Sequence, residues 1–300
     1  MSESTLNSAM DTKEALRKVR RIEISTSRLV NNIFAGEYES VFKGRGIAFD
    51  EVREYQPGDE IRTIDWNVTA RMGQPYIKKY VEERELVMML VVDMSGSIQF
   101  GTQQQTKAEI VAEIAALLAF SAIKNNDKVG LICFTNEVEL FVPPRKGRKH
   151  VLRVVREILY FQPQQRTTNI NAVLEYIDRV LRRRSVVFLL SDFRDSGYER
   201  PLQVTAKRHD LIAITVQDSR EEALPDVGII ELEDAETGEV ILLDTRHRQT
   251  REVYSQLNQQ ALEARRKCFR TNKIDCIEIR TDTSYVQPLI RFFQQRTARK

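Results

Sequence analysis

The 300 residues, 42% of them apolar, are enough to bury one large core or two modest ones. Lys and Arg total 46 against 43 Asp and Glu, and a net charge of +3 lacks the one-signed excess of a dedicated nucleic-acid binder. Three cysteines, Cys133, Cys268 and Cys276, are an odd number without ligand-like spacing, which argues against a disulfide framework or a zinc site. With no apolar run near the ~20 residues of a membrane span and no signal-peptide core, a cytoplasmic protein is expected.

The first dozen residues are small and polar. From Thr12 to Ile24 the spacing predicts a helix whose basic residues gather late, where the helix dipole favours them, and which reads as an arm outside the core. Between Val41 and Tyr80, Gly44, Gly46, Pro57-Gly58 and Gly73-Gln74-Pro75 punctuate mixed runs, predicting short strands and turns. Trp66 sits there among Ile61, Ile64 and Val68 and is expected in a core. Arg53, Glu54, Asp59, Arg62, Asp65 and Arg71 read equally as a recognition surface and as paired charges clamping this segment to the sheet.

Near residue 85 the text changes to LVMMLVV, a continuous apolar run of the kind that strands covered on both faces show. It stops at Asp93-Met94-Ser95-Gly96-Ser97. Ile110, Ile114, Leu117, Leu118 and Ser121 then mark a helix laid on the sheet. The alternation continues with strand GLICFT, a partner strand VELFVP, helices over His150 to Phe161 and Ile170 to Arg183, and a second buried strand, SVVFLLSD. A helix over Pro201 to His209, strand DLIAITV, a hairpin of GIIELED and EVILLDT, a long helix to Arg270, strand IDCIEIRT and a last amphipathic helix complete it. Repeated βαβ units predict an α/β fold with a doubly wound, mostly parallel sheet. The change of pattern divides the chain into 1–84, an N-terminal arm and short-strand segment, and 85–300, the sheet domain with a hairpin insertion near 228–244.

Both of the most apolar strands end in acidic residues with hydroxyls beside them, and in open α/β sheets ligands bind outside the carboxyl ends of the strands. Asp93, Ser95 and Ser97 alternate on one loop and can turn a carboxylate and two hydroxyls to one point. Asp192 adds a second carboxylate, and Thr168 (or its neighbour Thr167) leans in from the loop that opens the helix at Ile170. Such an oxygen-only set suits Mg2+, with Mn2+ or Ca2+ as close relatives, and leaves a coordination position for a partner's Glu or Asp.

This pattern resembles the metal-ion-dependent adhesion site of von Willebrand factor A domains. The segments GRGIAFDEVREYQPGD, IRTIDWNVTAR, DMSGS, LLSDF and LPDVG extend the resemblance, from about Arg28 onward, to the bacterial domain-of-unknown-function family fifty-eight. That resemblance implies a von Willebrand factor A-like fold and a non-catalytic partner of a MoxR-type AAA+ ATPase in chaperone-like assembly or activation of client proteins. Where many relatives carry Gly-Gly-Thr-Asp, this chain has Arg166-Thr167-Thr168-Asn169.

Two other functions fit the same residues. One is Mg2+-dependent phosphoryl transfer with Asp93 as nucleophile, although position 95 is Ser rather than a second Asp and no G-x-x-x-x-G-K-[ST] loop occurs. The other is a metal-independent scaffold. The basic runs Arg145 to Lys149 and Arg182 to Arg184 read as solvated element ends, and the scattered His150, His209 and His247 give no triad.

Overall fold

The computed structural model describes residues 17, 19–30, 35–42, 48–81, 86–99 and 106–299. In chain order it runs α1 (19–29), α2 (Ala35–Phe42), β1 (Ala48–Glu54), α3 (Trp66–Met72), β2 (Tyr76–Val81), β3 (Val87–Asp93), α4 (Lys107–Lys124), β4 (Lys128–Phe134) and β5 (Val138–Arg145). It continues with α5 (Arg148–Tyr160), α6 (Ile170–Val180), β6 (Val186–Ser191), α7 (Glu199–Arg208), β7 (Asp210–Gln217), α8 (Ser219–Glu222), β8 (Ile229–Glu233), β9 (Val240–Asp244), α9 (Arg248–Thr271), β10 (Asp275–Arg280) and α10 (Val286–Ala298). The predicted helices differ from α5, α6 and α7 only at their ends.

A six-stranded sheet in the order β10-β7-β6-β3-β4-β5 is parallel except at the edge, where β5 runs antiparallel to β4. This is the doubly wound, mostly parallel α/β architecture expected from the sequence. The unbroken apolar runs have a direct cause, because successive residues of a strand point to opposite faces and both faces are covered. Met88, Leu90 and Val92 of β3 enter one core with Phe188 and Leu190 of β6, while Met89, Val91, Val187 and Leu189 enter the other. Helices α4, α5 and α10 cover the first face; α6, α7 and the end of α9 cover the second.

The N-terminal helices correct the reading of an arm. Val19, Ile22 and Val30 of the first helical segment and Tyr38, Val41 and Phe42 of α2 are buried in the first core. Tyr38 Oη donates to Asp127 Oδ2 at 3.0 Å, and the Phe42 ring meets Phe188 and Phe293 edge-on. The three- and four-residue spacing of Val19, Ile22, Thr26 and Val30 is an apolar stripe that the surrounding basic residues concealed. Residues 1–16, and with them the start of the predicted helix, lie outside the described residues.

Strands β1 and β2 form a separate antiparallel pair. Between them α3, which turn signals alone did not predict, starts on Asp65, whose side chain accepts from Asn67 N and Val68 N, and stops at Gly73 with φ of 73°. None of its residues is buried, and Trp66 is 67% exposed beside exposed Ile61 and Met72. The expectation that Trp66 enters a core is therefore overturned, since among the described residues no second layer covers the hairpin and its short helix. Arg53 pairs with Asp59 at 2.7 Å and Asp65 caps α3, so these three of the six charges brace the segment internally.

The β8–β9 hairpin stands where the sequence places it. Its two ends are joined by Thr245, whose N and Oγ1 donate to Gly228 O at 2.8 and 2.7 Å. On its outer face Ile229, Val240 and Leu242 are all more than half exposed, while Ile241 lies on the other face with Ile230 and Leu232. No helix among the described residues is long and apolar enough to cross a membrane.

Candidate metal centre

The strand order fixes where a site can form. From β3 the chain proceeds to β4 on one side, whereas β6, β7 and β10 follow on the other, so the connections diverge at the carboxyl ends of β3 and β6 and leave a crevice there. Asp93 ends β3, and Ser191 and Asp192 end β6.

Asp93 is completely buried. Its Oδ1 accepts from Ser95 N at 2.9 Å and its Oδ2 from Ser191 Oγ at 2.6 Å. This side-chain turn bends the backbone after β3, and the hydroxyls of Ser95 and Ser97 come within 3.0 Å of one another. Gly96 N donates to Arg166 O at 2.8 Å, tying this loop to the one that carries Thr168.

Asp192, 1% exposed, accepts from Arg194 N through Oδ1 at 3.3 Å, and its backbone oxygen accepts from Arg265 Nη1 at 2.7 Å. Its Oδ2 is buried without a hydrogen bond. That oxygen stands 3.5 Å from the Nζ of Lys107, a wholly buried side chain that donates to Glu221 Oε1 at 2.6 Å. Lys107 is delivered there by the start of α4, where Thr106 and Glu109 form a reciprocal capping box.

Burial first, and then the charge of Asp192, push the Asp93 carboxyl up to about 7, against the pull of hydrogen bonds from Ser191 and Ser95. A buried carboxylate crowded by a second, one oxygen of the pair lacking a donor, and two hydroxyls alongside make a donor set that a divalent cation fits. Among the described residues no three His, Cys, Asp or Glu side chains cluster as a metal site. Two carboxylates with neutral hydroxyls favour the hard cations Mg2+, Mn2+ and Ca2+.

The predicted donors are thus brought together unequally. Asp93, Ser95 and Ser97 form one bonded group and Asp192 adjoins it. Thr168 instead gives its hydroxyl to Glu236 Oε1 at 2.6 Å and its N–H to Glu236 Oε2 at 3.2 Å. Thr167 is exposed, so Thr168 is the threonine engaged at this edge of the sheet.

Sequence reasoning missed Ser191, Lys107 and Glu236. Ser191 was signalled by its place beside Asp192; Lys107 reads as an ordinary solvated first-turn residue, and Glu236 as part of a polar turn. The hairpin tip packs on the Asp93 loop so closely that a Cβ at Gly96 would fall 2.1 Å from Ala235 O. A cavity of about 740 Å³ under the hairpin is lined by Ser97, Arg194, Arg220, Glu221 and Glu236 among others.

The family described as protein of unknown function DUF58 matches residues 51–264. The chain belongs to that family. All five predicted donors, together with Lys107 and Glu236, lie inside the span matched to DUF58. The chain is similar to the uncharacterized protein Rv1480 of Mycobacterium tuberculosis, with 33% identity over 240 residues covering 79% of this chain and 76% of that one. It also resembles the uncharacterized protein YeaD of Bacillus subtilis, 30% identical over 107 residues, 36% of this chain and 25% of that protein. Among solved structures it is similar to BatB of Bacteroides thetaiotaomicron, described as a conserved hypothetical protein, with a TM-score of 0.46 and 15% identity over 72% of this chain and all of that one. It is also similar to the SpRpn10 VWA domain, with a TM-score of 0.39 and 11% identity over 69% and 94% of the two chains. Neither structure reaches a TM-score of 0.5, and the candidate site rests on the geometry of this chain's own residues.

Proposed function

We propose that this DUF58 protein is a non-catalytic, divalent-metal-dependent protein-binding module. Asp93, Ser95, Ser97, Thr168 and Asp192 would hold Mg2+, and the cation would accept a carboxylate from a bound protein. The observation that carries this reading is the pair of buried carboxylates at the switch point of the sheet, with Asp192 Oδ2 lacking a hydrogen bond. The Lys107 ammonium beside it is shared with Glu221, at 3.5 and 2.6 Å, so the paired carboxylates keep an excess of negative charge that a cation would balance. The chain's own residues do the rest: Ser191 and Ser95 orient Asp93, Arg265 fixes the backbone of Asp192, and the surrounding core keeps water from the carboxylates.

The family resemblance supports a MoxR-type AAA+ ATPase and a client protein as the partners, in the cytoplasm. The division into residues 1–84, an N-terminal arm and family-specific segment, and 85–300, the von Willebrand factor A-like domain, is proposed as one of sequence pattern, since helices within 19–42 complete the first core of the sheet. Calorimetric titration with Mg2+ and Mn2+ tests the centre. Saturable binding that Asp93→Ala abolishes, with circular dichroism unchanged, is expected, followed by chelator-sensitive capture of the ATPase. One observation favours a second reading, the metal-independent scaffold: the Lys107 ammonium already stands beside Asp192. Absence of binding at millimolar metal, with partner capture that chelator leaves intact, would establish that reading instead.

A further inference from the structure

We infer that the β8–β9 hairpin is a built-in occupant of the metal centre: Glu236 at its tip fills the place of a partner protein's carboxylate, and the hairpin lifts when a partner binds. The inference rests on the metal-binding reading above and adds to it a closed state of the free chain.

Glu236 is half-buried, and both of its oxygens are taken by Thr168, one by the hydroxyl and one by the backbone N–H. Thr168 is the proposed donor on the hairpin side of the site, so the chain's own carboxylate is seated against it. A carboxylate offers about four acceptor positions, and these two bonds leave others for a cation. The seat is shaped as well as bonded. Ala235 O lies where a side chain at position 96 would be, so the tip and the Asp93 loop fit only because Gly96 has none.

The turn itself is braced to present Glu236. Asp234 Oδ1 accepts from Glu236 N at 2.8 Å and from Thr237 N at 3.2 Å, and Gly238 N donates to Asp234 O at 2.8 Å. By contrast the outer face of the two strands behind the tip carries exposed Ile229, Val240 and Leu242, and the strands are joined at Gly228 and Thr245. A partner that covers this surface has a hold along the hairpin, from Ile229 at its base to Val240 beside the tip, and its own carboxylate replaces Glu236.

The test uses the full chain with Mn2+ as the probe, comparing wild type, Asp93→Ala, Glu236→Ala and Glu236→Gln. Calorimetry reads metal binding, water-proton relaxation reads exchangeable water on the bound Mn2+, and hydrogen exchange reads the Thr168 amide. Wild type is expected to bind and Asp93→Ala not to. Both Glu236 variants are expected to bind with about one more exchangeable water among the ion's roughly six positions, and with faster exchange at Thr168. If wild type takes up no Mn2+, or Asp93→Ala binds equally, the metal reading falls and this inference with it. If wild type binds, Asp93→Ala does not, and the Glu236 variants show wild-type relaxation, the inference alone is overturned. Should Glu236→Ala fail to fold, the near-isosteric Glu236→Gln decides the same question.

Discussion

Lys107→Met removes the ammonium between Asp192 and Glu221 while keeping most of the unbranched stem. In the native protein Lys107 is 0% exposed, with Asp192 Oδ2 at 3.5 Å and Glu221 Oε1 at 2.6 Å, their side chains only 1% and 13% exposed. Removing one member of a buried ion pair costs about 3–5 kcal/mol, because the survivor stays desolvated without its counter-charge. Against a total stability of about 5–15 kcal/mol this is a large loss. At roughly 2–4 °C per kcal/mol for a domain of this size class it corresponds to a fall in Tm of about 6–20 °C. Urea unfolding and differential scanning calorimetry in chelator would measure both quantities. Mg2+ should then return more stability to the variant than to wild type, since a cation no longer meets a fixed positive charge at Asp192; saturation at a hundredfold above Kd contributes about 2.7 kcal/mol. A loss below about 1 kcal/mol would show that Lys107 is not the desolvated counter-charge of these carboxylates. Equal Mg2+ responses in the two proteins would separate Lys107 from the metal centre.

Gly96→Ala should destabilise by about 1–3 kcal/mol through overpacking and accelerate hydrogen exchange across residues 228–244. Its backbone is outside the left-handed region and the obstacle is only the Ala235 carbonyl, so unchanged exchange would refute the seating of the hairpin. Asp192→Asn should weaken Mn2+ at least tenfold, about 1.4 kcal/mol, in a calorimetric titration, and an unaltered Kd would remove Asp192 from the donor set. His209 supplies the pH dependence. It is buried, its Nδ1 accepts from Ser185 N at 3.3 Å, and burial lowers its pKa below the usual 6.5, with Asp178 opposing and Arg208 and Arg184 reinforcing. The unfolded chain therefore takes up the proton first as pH falls, so this contribution is present above about 6.5 and is lost as pH drops through the lower folded value. The slope of Tm between about pH 7.5 and 5.5 should flatten in His209→Gln.

The sheet was legible because burial on two faces leaves no polar alternation: β3 and β6 print as uninterrupted apolar runs, and their ends locate Asp93 and Asp192. Asp93, Ser95 and Ser97 were legible as a group because one loop carries all three. The core role of the first helices was hidden by the basic residues flanking Val19, Ile22 and Val30, and Trp66 was misplaced because apolar neighbours in sequence do not guarantee a second layer in space. Glu236 was legible as a turn residue, but its bond to the site was not. Its bonds to Thr168 span 68 residues, and a single side-chain contact at that separation has no periodicity to betray it.

The joint at Gly228 and Thr245 has a consequence of its own. Because the two ends of the β8–β9 insertion are already hydrogen-bonded to each other, the hairpin is a closed loop on a narrow stem, a sheet of its own that meets the loops at the edge of the main sheet through Ala235 and Glu236. It is a detachable part. Residues 229–244 can be shortened, lengthened or replaced by a hairpin with a different tip while β7 and α9 keep their places. A designer wishing to change what the tip sets against Gly96 and Thr168 has a cassette with its own fasteners.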